Sequence, residues 1–314
     1  MTAQKKTTEK DTVTITIFTD PILALSYESE PIFRKLETHF KDKLKIQYAM
    51  GMEIDNIRKY INHTESSVND EHAVERANKA IAEKLAEEEK ISNLPIDVGD
   101  FHLFTTKEGE DSTYRLNLAV KAAQIADSFK VGRYLYNLRL AILLENRPVM
   151  KVEELTNIAL RSGINVQKFL EAYNEGKAEM ALEKDLAMAD QLGVNTLPTY
   201  IIEYQGRAIR LQTYRYNEFV LAIDQLTDGV VMPQDIVVDA DEVRTILAEH
   251  PVISSVELRR ALDFTTDAQV EELIEPLIKA GDAKIKEVSH GWFLVSTAAE
   301  KPVIEPIVEE EEEE

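Results

Sequence analysis

Val13-Thr14-Ile15-Thr16-Ile17-Phe18, running on into Thr19-Asp20-Pro21-Ile22-Leu23-Ala24-Leu25-Ser26-Tyr27-Glu28-Ser29-Glu30-Pro31, is the stretch on which the reading of this chain turns. Its first half alternates β-branched and apolar residues with period two, the pattern of a strand half buried on a sheet. Thr19-Asp20-Pro21 breaks that strand. From Ser26 to His39 the apolar residues Tyr27, Ile32, Phe33, Leu36 and the adjoining Phe40 recur at helical spacing. Leu44, Ile46 and Tyr48 then alternate again as a second strand. Strand, helix and strand in so short a span predict a βαβ unit with parallel strands and a right-handed crossover.

Further along, residues 73–91 read as a charged, alanine-rich surface helix and 93–109, with Pro95, Gly99 and Gly109, as loop. Residues 114–192 read as nearly continuous helix, stopped by Pro148 and by Ser162-Gly163, with 166–191 as its last piece. Gly193-Val194-Asn195-Thr196-Leu197-Pro198 leads into a strand from Thr199, a Gln205-Gly206 turn and a strand over 208–211, which is a β-hairpin. A helix from Tyr216 to Leu226 closes this part. Thr227 to Gln234, with Gly229 and Pro233, reads as a linker. Helices over 240–249, 256–262 and 268–280 follow, capped by Ser254 or Ser255 and by Thr266-Asp267 and stopped by Gly281. A two-stranded hairpin around Ser289-His290-Gly291 completes the pattern of a winged helix.

Composition narrows the function. The 314 residues contain no cysteine, so disulfides, cysteine–metal sites and thiol–disulfide chemistry by the chain's own side chains are excluded. The formal charge of −21 repels phosphate backbones. Over residues 235–288 there are 13 acidic against 6 basic residues, and Asp267, Glu271, Glu272 and Glu275 face Lys279 alone on the would-be recognition helix. Groove readers need the opposite balance, so no nucleic-acid partner is expected; Pro276 is expected to kink that helix. No apolar run is long enough to span a membrane and the first ten residues lack the apolar core of a signal peptide, so a cytoplasmic protein is expected. The six histidines form no HxxxH or HExxH pair, and neither a phosphate-binding glycine loop nor a hydrolase elbow is present; no metal is expected.

The order β-α-β, helical block, β-β-α resembles a thioredoxin fold carrying a DsbA-type helical insertion. The stretch Phe18 to Pro31 resembles the active-site segment of the FrnE-like branch of the DsbA family, which includes the SpxH-type adaptors. There Asp-Pro precedes a Cys-x-x-Cys-aromatic motif, and Glu-Pro lies just beyond it. Gly193-Val194 with Thr196-Leu197-Pro198-Thr199 is similar to that family's loop ending in a cis-proline. Tyr48-Ala49-Met50-Gly51 and Asn117 to Ala123 match as well. The likeness spans residues 12–228. It implies an α/β thioredoxin fold with a DsbA-type helical insertion; the element pattern beyond it adds the expectation of a small winged-helix (α+β) domain.

The resemblance also places Leu23 where the first cysteine stands and Ser26 where the second stands. A leucine has no ionisable atom, and a serine hydroxyl does not replace the thiolate that a helix N-terminus stabilises. The redox centre is therefore absent, and the expected work is binding. A groove formed by Asp20, Leu23, Ser26, Tyr27, Thr196, Leu197 and Pro198 is expected to hold a protein segment or extended peptide. Pro198 is read as cis by the resemblance, as either a peptide-pairing loop or a structural turn. Asp20 is read as a helix cap or a general base, and Ser26 as a capping or surface serine. The alternative is a glutathione-dependent isomerase or transferase of the kappa-class type, with glutathione as cofactor and Ser26 steering its thiolate; a winged-helix regulator is a third reading.

The expected division is a disordered tail over 1–11, a thioredoxin-like domain over 12–60 and 193–228, the helical insertion over 61–192, a linker over 229–235, the winged-helix-like domain over 236–297, through which a homodimer is one option, and an acidic disordered tail over 298–314.

Overall fold

Period-two alternation places Val13, Ile15 and Ile17 on one face of strand β1 (Val13–Thr19), and all three are buried. The computed structural model describes residues 12–60 and 71–299. The expected tail over 1–11, residues 300–314 of the expected tail over 298–314, and the first residues of the expected insertion, 61–70, lie outside the described residues; residues 298 and 299 are described and belong to a helical turn, Thr297–Ala299. β1 pairs in parallel with β2 (Leu44–Met50), Ile17 opposite Tyr48. On its other side it pairs antiparallel with β3 (Thr199–Tyr204), Ile15 opposite Ile202, and β3 pairs antiparallel with β4 (Arg207–Leu211). The order is β2-β1-β3-β4. Gln205 and Gly206 turn the hairpin with φ of 47° and 80°, the two positive angles that match strand twist and that a glycine adopts without strain.

The helix between β1 and β2 comes in two pieces, α1 (Ala24–Tyr27) and α2 (Glu30–Phe40). It begins a little earlier than Ser26 and is interrupted at Glu28-Ser29. Pro31 lies in the first turn of α2, where its missing N–H costs nothing. α2 and the later helix α9 (Tyr216–Thr227) cover one sheet face, packing Phe33, Leu36 and Phe40 with Phe219 and Ile223 against Ile15 and Ile202. Phe18, Ala49 and Ile201 face the other way.

The helical insertion is α3 (Glu71–Glu88), α4 (Tyr114–Ala126), α5 (Val131–Leu143), α6 (Val152–Arg161), α7 (Val166–Asn174) and α8 (Lys177–Gln191). The stretch read as one helix over 166–191 is broken at Gly176, which takes a φ of 76°. α3 is charged on one side only: Val74, Ala77, Ile81 and Leu85 are buried.

The C-terminal unit is a small α+β arrangement: α10 (Ala240–Glu249), β5 (Val252–Ser254), α11 (Ser255–Ala261), α12 (Asp267–Ala280), β6 (Ala283–Val288) and β7 (Gly291–Ser296). The sequence reading of three helices and a hairpin lacked β5, which is three residues long and makes the sheet three-stranded, in the order β5-β7-β6. Ser254 is the cap of α11 in a reciprocal box with Glu257, and Gln269 accepts from the backbone N–H of Thr266 at the start of α12. α12 runs unbroken through Pro276.

This unit is seated on the rest of the molecule by buried polar groups. α11 packs on α2. Glu257 is fully buried; its Oε2 accepts from the Tyr136 hydroxyl at 2.5 Å, and its Oε1 lies 3.4 Å from Nε of Arg34. Arg133 of α5 donates to the carbonyls of Ala248 and Glu249 at 2.9 and 3.1 Å. The segment read as a linker is packed as well, with Val231 buried and the N–H of Gln234 donating to His39 O at 2.8 Å. Removing one partner of a buried ion pair strands the other in a low-dielectric site, at a cost of about 3–5 kcal/mol. Glu257→Ala is therefore expected to lower stability in guanidinium unfolding by about 3 kcal/mol and to expose residues 229–239 to protease. Glu257→Gln, which keeps the cap, is expected to lose less, and the exposed Lys279→Ala to change it by under about 0.5 kcal/mol.

Candidate functional site

β1 delivers Thr19 and Asp20 to the mouth of the crossover, and the chain turns at once into α1. The result is a site that faces inward. Asp20 is fully buried, and its carboxylate accepts from Ile22 N at 3.0 Å, Glu53 N at 2.9 Å, Thr113 Oγ1 at 2.7 Å and Asn117 Nδ2 at 2.8 Å. It ties the entry to α1, the loop after β2 and the start of α4 together. Burial pushes its carboxyl above the usual carboxylate range against the pull of those four donors. Asp20 thus holds three segments rather than capping one helix.

Leu23 and Ser26, at the positions matching the cysteines, are each only 4% exposed. α1 packs against α3 and α5, which lie over it. The Ser26 hydroxyl accepts from Thr19 Oγ1 at 2.6 Å, and Thr19 Oγ1 in turn accepts from Nη2 of Arg139 at 2.7 Å. Ser26 is therefore neither a surface serine nor a cap: Leu23 stands at the N-cap position of α1, with no side-chain capping bond. Tyr27 is fully buried, donates to Pro95 O at 3.3 Å and packs near Tyr136.

Beneath this layer runs a chain of charges. Nη1 of Arg139 donates to Glu30 Oε1 at 2.9 Å, while Arg34 pairs with Glu30 Oε2 at 2.6 Å and reaches Glu37 and His250. Burial opposes ionisation of Glu37, but Arg34 and His250 beside it prevail and hold its carboxyl down at about 2. The sequence reading did not single out Arg139. Its signal is an arginine between Leu138 and Leu140, four residues after Leu135 and three before Ile142, on the apolar stripe of α5.

The second part of the site is the loop before β3. The Leu197–Pro198 peptide bond is cis. Pro198 is buried, Leu197 is half-buried and Thr196 is exposed. Leu197 lies against Gly51, where a Cβ would come within 3.1 Å of it. Thr199 Oγ1 donates to Thr196 O at 2.7 Å, and Gln212 Nε2 donates to Thr199 Oγ1 at 2.9 Å and to Thr196 Oγ1. Among the described residues the backbone N–H groups of Thr196 and Leu197 donate to no protein carbonyl. Of the seven residues read from the sequence, then, Thr196 and Leu197 reach the surface, and Asp20, Leu23, Ser26, Tyr27 and Pro198 lie beneath it. Among the described residues no group of three histidines or carboxylates is placed to hold a metal, and no helix is long and apolar enough to cross a membrane.

Glu28, just past α1, is 1% exposed. Its Oε2 accepts from Ser92 N at 2.8 Å and from Ser92 Oγ at 2.5 Å. Burial pushes its carboxyl up to about 8 from an ordinary value of 4.5, against the pull of Ser92. The folded chain keeps this proton while the unfolded chain loses it near 4.5, so stability falls as pH rises from there toward 8. Glu28→Gln removes that loss. In guanidinium unfolding it is expected to be more stable than the parent by roughly 2–3 kcal/mol at pH 8, with the advantage gone at pH 5.

A protein of Shouchella clausii (strain KSM-K16) named ClpXP adapter protein SpxH is 21% identical over 293 residues, covering 90% of this chain and 88% of its own. Its namesake in Halalkalibacterium halodurans is 20% identical over 92% of this chain and 90% of its own. Among solved structures, the cytosolic disulfide reductase DsbM of Pseudomonas aeruginosa superposes with a TM-score of 0.50 at 16% identity, over 75% of this chain and 98% of that one. That similarity shows a shared DsbA-like fold. A family model described as Thioredoxin matches residues 17–216, which includes the end of β1, the crossover, the helical insertion and the cis-proline loop. The chain belongs to the thioredoxin family.

Proposed function

We propose that this chain is a cytoplasmic, non-catalytic protein-binding adaptor that brings a client to a protease of the ClpXP type. The observation that carries the reading is the closed state of the old reactive position. Leu23 and Ser26 are inside the molecule, and Ser26 is bonded to Thr19, while the neighbouring loop keeps Thr196 at the surface, its backbone N–H donating to no carbonyl among the described residues. Such donors suit an extended segment that pairs by main-chain hydrogen bonds. The SpxH proteins that align along nine-tenths of the chain carry the adapter name, which supports the choice of protease.

In this reading Thr196 and Leu197 meet the client, and the buried Asp20, Leu23, Ser26, Tyr27 and Pro198 hold the loop in place. The winged-helix-like unit over residues 236–297 offers a second contact surface, to the partner or to a second copy of the chain. A glutathione-dependent reading needs a serine hydroxyl turned toward a ligand, and the Ser26 hydroxyl is turned to Thr19 instead.

Purified chain added to ClpXP of the source cell and a co-purifying client is expected to speed loss of the client. Thr196→Pro, which deletes the backbone donor together with the hydroxyl that accepts from Gln212, is expected to cut that acceleration about tenfold, whereas Thr196→Ala, which loses the hydroxyl alone, is expected to keep most of it, both with an unchanged far-ultraviolet spectrum. Client loss that ignores the chain, or equal rates with Thr196→Pro and parent, contradicts the proposal.

A further inference from the structure

β4 is the outermost strand of the β2-β1-β3-β4 sheet, and among the described residues no strand lies on its far side. The two-residue Gln205-Gly206 turn, with both φ angles positive, makes Tyr204 and Arg207 a bonded pair at the head of the hairpin. Bonded and non-bonded pairs then alternate, so Ile209 and Leu211 bond back to Ile202 and Tyr200. The main-chain N–H and C=O groups of Ala208 and Arg210 therefore point outward, away from β3. Among the described residues no backbone group outside the sheet pairs with them.

Natural sheets blunt such an edge with a proline, a bulge or a charge standing over it. β4 has no proline, and its register with β3 runs without a bulge. Its two arginines are tied back to the ends of α9 and α8. Arg207 pairs with Asp228 at 2.9 Å and donates to Leu226 O, and Arg210 donates to Gly193 O at 3.2 Å and to Leu192 O. Ala208, between them, is exposed. The edge is open to another strand.

The sequence of β4 is complementary to itself. A two-fold axis through Ile209 sets two copies antiparallel, with Ala208 of each opposite Arg210 of the other, so that the outward groups of both strands meet as bonded pairs. The adjacent register on one side would set Arg210 against Arg210, and that on the other would set it against Gly206 in the turn. About Ile209, the face carrying the apolar core brings Ile209 to Ile209 and the stem of Arg207 to Leu211. On the opposite face Arg210 looks across the small Ala208 of the other copy to Glu203, the residue that Ala208 faces on β3. Glu203 is exposed and meets no cation among the described residues, and Arg210 meets carbonyls but no carboxylate. Two strand spacings, about 10 Å, separate the pair, a span that an extended arginine and a glutamate bridge over an alanine. The two arginines themselves lie diagonal to each other rather than opposite.

We propose that β4 is a dimerisation edge, on which a second copy of this chain pairs antiparallel about Ile209 and joins the two four-stranded sheets into one. The inference goes beyond the adaptor reading and uses neither the Thr196 loop nor the winged-helix-like unit.

Analytical ultracentrifugation of the full chain is expected to give twice the mass of one copy, in the micromolar range that so small a contact supports. Deuterium exchange at the amides of Ala208 and Arg210 is expected to slow as the dimer fills, which a dimer formed through another surface would not produce. Arg210→Glu and Glu203→Arg are each expected to weaken association about tenfold, since each brings like charges together twice across the axis. Mixing the two variant proteins is expected to restore it, because each copy then offers the charge that the other needs at both positions. The proposal is overturned by a single-copy mass at about 1 mM, by dimers in which the amides of Ala208 and Arg210 stay unprotected, or by a mixture that associates no better than its components.

Discussion

Arg139 carries its guanidinium inside the molecule, only 1% exposed, so its surroundings must answer that charge. They do so with parts drawn from the whole chain. Glu30, at the start of α2 where a carboxylate also suits the helix dipole, accepts from Arg139 with one oxygen and from Arg34 with the other. The second arm of Arg139 holds Thr19 at the end of β1, and Thr19 holds Ser26. Arg34, one turn further along α2, passes the chain of charge to Glu37 and to Glu257 of the C-terminal unit. Sheet, helical insertion and C-terminal unit meet in this line. A lysine would not serve at position 139, because its single ammonium lacks the planar fork that spans two partners.

The same line explains what became of the reactive position. In a thioredoxin fold a helix N-terminus at a surface lowers the pKa of a cysteine thiol there and keeps it reachable. Here the corresponding segment is only four residues of helix, Ala24–Tyr27, has Leu23 at its N-cap, and packs against α3 and α5. Its one remaining polar side chain of the pair, Ser26, is committed to Thr19. Reactivity has been replaced by packing, while the adjoining Thr196 loop keeps an outward face.

Much of the fold was legible because local pattern and tertiary environment agree. The alternation of residues 13–18, the Gln205-Gly206 turn and the cap at Thr266 signal elements that the structure has, as does the cap read at Ser254 or Ser255, which is Ser254. The likeness of the Phe18–Pro31 segment to a cysteine-bearing one gave the fold class. Less legible were features that depend on distant partners. Nothing near Ser26 announces that Thr19 and Arg139 will meet it, or near Asp20 that Thr113 and Asn117 will converge on it from about a hundred residues away. β5 was missed because three residues carry too little periodicity, and the break at Gly176 because a glycine inside a helical pattern is ambiguous until its φ is known. The open edge of β4 was hidden as well, because a hairpin read from its turn does not say which of its strands lies outermost in the sheet.

Restoring the missing pair gives the most direct test. In the double variant Leu23→Cys, Ser26→Cys the two introduced thiols are the only ones in the chain, so alkylation and insulin-reduction assays read that position alone. If the position is closed and structural, the native protein's thiols are alkylated orders of magnitude more slowly than in guanidinium and no turnover of a disulfide substrate is seen. Rapid alkylation of the folded protein together with catalytic turnover would show instead an open redox site lacking only its sulfurs, and would contradict the account.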